Sequence, residues 1–230
     1  MAAAAARLIQ NLGSSGFLLT SGAGRSSAEY RRRSVIYSQG ETAGGVLFVQ
    51  QGRVLLSVVS DCGKEAILGI VGPGGILGAG CIFDEPYRSS TAIALERVSL
   101  VRIEKQDLKY VLAHSVEFNQ EFLRCLLRQK RETEEALADQ LFSSSERRLA
   151  RILMMLSHNP QGIPGGPIPR LSQTTLAAMV GTTRSRISYF LGKFRQMGLI
   201  EGGTKIRVNA ARMSAMLKQC IPSRAIEAAQ

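Results

Sequence analysis

Across residues 35–103 the apolar positions come in short β-branched runs cut by glycine: VIYSQGE, GGVLFVQQG, RVLLSVVSDCGKEAILGIVGPGG and STAIALERVSLVRI. Turn formers recur at Gly40, Gly44-Gly45, Gly52, Asp61-Cys62-Gly63 and Pro73-Gly74-Gly75. Many short strands with turns this close together predict an antiparallel roll or barrel. Residues 107–114 read as a short helix. From residue 116 to 141 the period changes. Phe118, Phe122, Leu126, Thr133, Leu137 and Leu141 fall at spacings of four and seven residues, the period of a helix face. The pairs Arg128–Glu132, Lys130–Glu134 and Arg131–Glu135 stand four apart and can bridge on the outer face. A helix of this length spans roughly 39 Å. A small roll cannot cover it, so its apolar seam calls for a partner, most simply a second copy of the chain. Phe122, Leu126, Thr133 and Leu137 are therefore assigned to a homodimer interface.

The helical pattern breaks at Phe142-Ser143-Ser144-Ser145. Ser145 followed by Glu146 is a helix N-cap signal, and RRLARILMMLSH continues as an amphipathic helix. The stretch NPQGIPGGPIP, residues 159–169, predicts a turn or hairpin loop. Ahead of the roll, residues 1–34 are rich in Ala, Gly and Ser and end in Arg31, Arg32 and Arg33, which predicts a loosely ordered arm. The expected organisation is α+β: an arm over 1–34, a β-roll over 35–115, a dimerisation helix over 116–142 and a third region over 143–230.

That third region has its own pattern. It contains LSQTTLAAMVGTTRSRISYFLGKFRQMGLI, residues 171–200. Ser172 is a natural N-cap, and Leu176, Met179 and Val180 make one apolar face of a short helix. Gly181 permits the positive φ of a tight turn. Thr182 and Thr183 cap a second helix, in which Ile187, Phe190, Leu191 and Phe194 face inward. Arg184, Ser185, Ser188 and Tyr189 face the other way. This is a helix-turn-helix with a polar, basic start to its second helix. The following LIEGGTKIRVN predicts a two-strand wing that turns at Gly202-Gly203 and carries Lys205 and Arg207 on its second strand.

Composition sharpens the picture. The chain has 230 residues, 45% hydrophobic and 20% charged, enough for packed cores. No apolar run reaches 18 residues, so no membrane span is expected. MAAAAARLIQNLG lacks the basic start and sustained apolar stretch of a secretory signal. Cys62, Cys81, Cys125 and Cys220 form no C-x-x-C pair, which suits a reducing cytoplasm and argues against a disulfide framework or zinc site. The net charge of +11 is uneven: 16 basic and 15 acidic residues up to Phe142, then 13 basic and 3 acidic. A cationic surface of that kind favours phosphate backbones through counterion release. Arg184 suits a bidentate contact to guanine, and Thr183 with the free N–H groups of the helix start suits a phosphate.

Roll, long helix, serine hinge and winged helix-turn-helix, in this order, resemble the CRP/FNR family of bacterial transcription regulators. The likeness covers residues 35–217. It rests on QGE at 39–41, LFVQQGRV at 47–54, GKEAIL at 63–68, RSS at 88–90 and the helix-turn-helix. The resemblance implies a dimer on a palindromic double-stranded operator, an effector in the roll that repositions the recognition helices, and RNA polymerase as a further partner. It places Ser172, Thr174, Thr182, Thr183, Arg184, Ser185, Ser188, Tyr189 and Lys193 at the DNA, with Thr183 and Lys193 on the backbone. The family's second base contact is commonly an acid and its third an arginine. Here Ser185 and Tyr189 stand there, so the half-site should differ at two of three read positions.

In cyclic-nucleotide-binding members the pocket reads F-G-E-L followed by R-S: the glycine turn and the Arg meet the phosphate, and the Glu binds the ribose. Here the stretch is LGAGCIFDEPYRSS. Gly78, Arg88 and Ser89 match, but Ala79 replaces the Glu. A carboxylate–hydroxyl bond is worth about 1.5–3 kcal/mol. Thr133 falls where members present a hydroxyl to the base, and the Glu134 beside it is atypical. The effector site is thus Gly78, Ala79, Arg88, Ser89 and Thr133. Three readings stand: a different, nucleotide-like anionic effector, a weakened cyclic-nucleotide site, or a relic in a constitutive regulator. For Arg88 alone, a surface ion pair with Asp84 or Glu85 is the plain alternative. Iron–sulfur members need cysteines near the N-terminus, and none precedes Cys62. Cys81 is a haem candidate, and Cys81 or Cys125 is a redox-thiol candidate or a small core residue. A rival reading is a cyclic-nucleotide module acting on a partner protein, but such modules lack a winged helix-turn-helix. No nucleophile–base pair, P-loop or metal cluster points to an enzyme.

Overall fold

The structure, a computed structural model, describes residues 25–83, 85–158, 166, 168–203 and 205–218. Where apolar runs alternate with glycine, strands form: β1 (Arg25–Tyr30), β2 (Val35–Tyr37), β3 (Gly45–Gln51), β4 (Val54–Val59), β5 (Glu65–Val71), β6 (Ile76–Leu77), β7 (Thr91–Ala94) and β8 (Val98–Glu104). They build two four-stranded sheets, ordered β1-β8-β3-β6 and β2-β7-β4-β5. Every pairing in them is antiparallel, as expected of a roll.

The loose arm expected over 1–34 is corrected at its end. Arg25–Tyr30 is strand β1, in register with β8 from Arg25↔Ile103 to Tyr30↔Val98. RSSAEY is polar and gives no strand signal of its own. Its ladder comes from β8, some 70 residues away, which is the kind of context that overrides local propensity. The remainder of the arm lies outside the described residues.

β3 explains the continuous apolar run GVLFV. Leu47 and Val49 pack with Val54, Val71, Ala92, Val98 and Leu100 between the sheets. Val46 and Phe48 point the other way, into a second core with Val101, Ile103, Leu108, Phe118 and Phe122. A strand buried on both faces loses its polar alternation. The second core is closed by α1 (Lys105–His114) and the long α2 (Val116–Phe142).

The dimer assignment along α2 needs correction. Phe122 is 6% exposed and packs with Phe48 and Phe118 in its own chain, and Leu126 leans on the same core. Successive residues turn by about 100°, so steps of four and seven drift steadily around a helix. The pattern 118, 122, 126, 133, 137, 141 joins two faces. Phe118, Phe122 and Cys125 lie on the roll, and Gln129 completes that side. Its amide accepts from the Ile76 N–H at 3.1 Å and donates to the Ile76 carbonyl at 3.0 Å, covering the free edge of β6. Roughly 130° away, Leu123, Leu127, Leu137 and Leu141 are 51, 64, 59 and 67% exposed.

The chain divides into two compact units between Leu137 and Ala138, five residues before the expected boundary. The last turn of α2 belongs with the second unit for a local reason. Its end leaves carbonyls without helical partners, and Arg148 donates to those of Gln140 at 3.3 Å and Ser143 at 2.7 Å. Asp139 also pairs with Arg151. The second unit contains α3 (Ser145–Ser157), α4 (Gln173–Val180), α5 (Arg184–Gln196), a hairpin of β9 (Ile200–Glu201) and β10 (Arg207–Val208), and α6 (Ala210–Lys218). The cap of α3 is Ser144 rather than Ser145: its hydroxyl accepts from the Arg147 N–H at 3.3 Å. Most of the expected loop at 159–169 lies outside the described residues.

Candidate nucleic-acid interface and effector pocket

The helix-turn-helix follows from its capping. Ser172 Oγ accepts from the Thr175 N–H at 2.9 Å and starts α4. Gly181 ends it in the left-handed region at φ +68°, which residues with a Cβ rarely adopt. Thr183 Oγ1 accepts from the Arg186 N–H at 3.3 Å and starts α5. Thr182 is half-buried in the turn, so one threonine caps α5, not two. Ile187, Phe190, Leu191 and Phe194 are buried, as the period requires. Their burial fixes the opposite face. Arg184, Ser185, Ser188 and Tyr189 are all exposed, Tyr189 at 68%.

That outer face borders an open groove of about 890 Å³ lined by Gln173, Arg184, Ser185, Ser188, Tyr189, Gly192, Lys193 and Gln196. Thr174 is exposed nearby on the first turn of α4. Gln173 and Gln196 escape a reading of the sequence, because glutamine is an ordinary helix residue. Gln173 joins the groove from α4, and Gln196 from the far end of α5. Gly192 carries a weak signal: glycine inside a helix costs roughly 0.5–1 kcal/mol against alanine. No atom lies within 4 Å of where its Cβ would stand, so packing does not require it.

Lys193 lines the same groove but is already paired. Its ammonium is held by Glu146 of α3 at 2.8 and 3.1 Å. The hydrogen bond and charge of Glu146 keep its pKa above the ordinary lysine value. A paired ammonium is a poorer phosphate anchor than a free one. The wing is also shorter than expected. Arg207 is exposed in β10, while Lys205 is exposed just before the strand. Arg195 Nε donates to the Gly202 carbonyl at 3.1 Å and ties α5 to the wing turn.

In the β-roll, Gly78 sits at φ +69°, and a Cβ there would collide with the Arg88 guanidinium. Ala79 opens a short 3-10 turn, Ala79–Phe83. Arg88 is only 7% exposed, so its reading as a surface ion pair is corrected. Nη2 donates to the Gly45 carbonyl at 2.8 Å and Nη1 to that of Gly78 at 3.3 Å. The guanidinium lies 4.6 Å from the Tyr37 ring centre, a cation–π contact. Its Nε has no hydrogen-bond partner although buried. An orphaned donor on a buried cation is costly, and an anion is the chemical group that satisfies both. Ser89 is exposed; the buried hydroxyl is that of Ser90, which bonds Tyr37. Thr133 is exposed and donates to the Gln129 carbonyl of its own helix at 2.9 Å. Gly78, Ala79 and Arg88 thus come together, while Ser89 and Thr133 add no contact to them. Burial pushes the Cys81 thiol pKa up against the pull of Arg88, which favours the neutral thiol of a core residue.

A family model for the cyclic nucleotide-binding domain matches residues 27–115, and one for the Crp-like helix-turn-helix domain matches residues 147–214. A CRP-like cAMP-activated global transcriptional regulator of Mycobacterium tuberculosis is 27% identical over 191 residues, covering 81% of this chain and 85% of that protein. The cyclic AMP receptor protein of Thermus thermophilus is 28% identical over 174 residues, covering 76 and 79%. Among solved structures, the c-di-GMP responsive global regulator CLP of Xanthomonas campestris superposes with a TM-score of 0.68 at 22% identity, covering 88% of this chain and 98% of that one. At that identity the likeness is one of fold.

Proposed function

The chain belongs to the CRP/FNR family of DNA-binding transcription regulators, and from that premise we propose that it acts as a homodimer on a palindromic operator, reading bases with the outer face of α5. The observation that carries this reading is the exposed Arg184, Ser185, Ser188 and Tyr189 along a groove, set by the buried opposite face of the same helix. The relatives are transcription regulators, and a regulator of this kind works in the cytoplasm, with RNA polymerase as its further partner. No helix among the described residues is long and apolar enough to cross a membrane.

Titration of labelled operator against salt tests the DNA reading. Log affinity should fall linearly with log salt concentration, and a flat line overturns the electrostatic part. Arg184→Ala should remove preference at one base pair per half-site, about 1–3 kcal/mol of discrimination, while leaving salt-sensitive nonspecific binding. A selection experiment returning the wild-type sequence logo with Arg184→Ala would show that this helix does not read DNA.

For the effector, the orphaned Nε of Arg88 supports an anionic ligand, held by Arg88 and the Gly78 turn. The two curated relatives are named for cyclic AMP, but Ala79 offers no carboxylate to a ribose hydroxyl. Ala79→Glu should therefore raise cyclic AMP affinity about tenfold, for one hydrogen bond to a charged group. Calorimetry on both proteins checks it. Unchanged affinity would mean that Arg88 and Gly78 do not form the anion half of a nucleotide site.

A further inference from the structure

The unpartnered face of α2 is interrupted at its middle by two opposite charges. Positions 116, 120, 123, 127, 130, 134, 137 and 141 alternate steps of four and three, the seam of a two-stranded coil. Val116, Leu123, Leu127, Leu137 and Leu141 supply apolar groups there, all more than half exposed. Lys130 and Glu134 occupy the two positions between Leu127 and Leu137 and form an ion pair one turn apart, with side chains 66 and 59% exposed. Two charged residues at the centre of an apolar seam do not help bury area. They sit where a dimer would press them together.

We propose that Lys130 and Glu134 form a charged layer that restricts the partner of α2 to an identical helix in register. The proposal rests on the dimer reading above and adds what the seam selects for. In the parallel, in-register pair, the orientation that lets both copies address one operator, the two charged positions stack as neighbouring layers. Each Lys130 then faces its copy but also meets its own Glu134 and the partner's Glu134 in the next layer, so the two positive charges lie among two negative. A slip by seven residues sets Lys130 against leucine positions 123 and 137, and Glu134 against 127 and 141. Each Lys130–Glu134 pair would then be pressed against leucines without the partner's charges, which is unfavourable. A helix of similar hydrophobicity without the complementary pair meets the same penalty, so the layer also rejects other chains. Polar groups at single seam positions are known to specify register at some cost in stability. The Arg131–Glu135 pair, at 3.8 Å, has the same spacing but projects off the seam and supplies a control.

Sedimentation velocity on the full chain tests this with Lys130→Glu and Glu134→Lys. Each variant alone gathers four like charges in the layer, so its dimer dissociation constant should rise roughly tenfold or more. Mixed in equal amounts, the two should form a heterodimer as tight as the wild type and recover operator binding. Glu135→Lys should leave self-association unchanged. Both side chains are exposed in the single chain, so circular dichroism and thermal unfolding of each variant should follow the wild type. A dimer of Lys130→Glu as tight as the wild type, or a mixture that fails to recover, overturns the charged layer and leaves the dimer reading standing. A monomeric wild type overturns the dimer reading itself.

Discussion

Leu127→Asp together with Leu137→Asp is expected to give a folded monomer that has lost operator binding. Both leucines are exposed in the single chain, at 64 and 59%, so neither supports its own fold. In the dimer each would face its copy, and aspartates there would bring four negative charges into an apolar seam. A monomer contacts one half-site at a time. Losing the second contact forfeits the effective concentration of a linked site, about 10²–10⁴-fold in affinity. Light scattering should report half the wild-type mass, and a footprint should show no protection at concentrations where the wild type covers both half-sites. A dimer that survives both substitutions places the seam elsewhere. The choice of Leu127 matters: Leu126, its neighbour, leans on Phe122 and Cys125 inside the first unit, and charging it would damage the roll.

Phe194→Ala is expected to weaken DNA binding by a different route. Phe194 has no exposed surface and fills the centre of the second unit from the inner face of α5. Truncating a buried phenylalanine costs about 3–5 kcal/mol. A domain of this size has a total stability on the order of 5–15 kcal/mol, so the substitution removes a large share of it and the helix-turn-helix should open far more often at physiological temperature. Hydrogen exchange should show protection lowered over α3 to α6 and kept in β3 and β8, whose cores contain no residue of the second unit. Retained protection in α5 would mean that Phe194 does not hold the recognition helix. With Arg184→Ala, which leaves the fold intact, this separates loss of the reading surface from loss of its support.

The helix-turn-helix was legible because it is local. Caps, a left-handed glycine and a period of 3.6 lie within 30 consecutive residues, and Ser172, Gly181, Thr183, Ile187 and Phe194 take the expected places. Apart from the caps, which fall on Ser144 and on Thr183 alone, the misplacements depend on distant groups. β1 is a strand because β8 offers it a ladder. Phe122 faces its own roll because Phe48 stands there, with ring centres 6.3 Å apart. Nothing within α2 tells that face from the seam. Lys193 is engaged because α3 carries Glu146 past it. Arg88 could be singled out from its motif, but its burial depends on the Gly45 carbonyl, 43 residues earlier in the chain. Spacing reveals which residues share a face; it does not reveal what that face meets.

The two-sided burial of β3 bears on how the chain is made. Synthesis runs from the N-terminus, and VLFV emerges long before its second cover. The strands that pack on Leu47 and Val49 follow within about 55 residues, but Phe118 and Phe122, which cover Phe48, come about 70 residues later. At ribosomal rates of roughly 5–20 residues per second, that wait lasts about 4–14 seconds. In its last part, once Val101 and Ile103 have also been made, the nascent roll shows an apolar face around Val46, Phe48, Val101 and Ile103, on strands of high β propensity. Such a surface pairs readily with copies of itself. The long helix is therefore also the piece that ends the period in which the newborn chain is prone to clump.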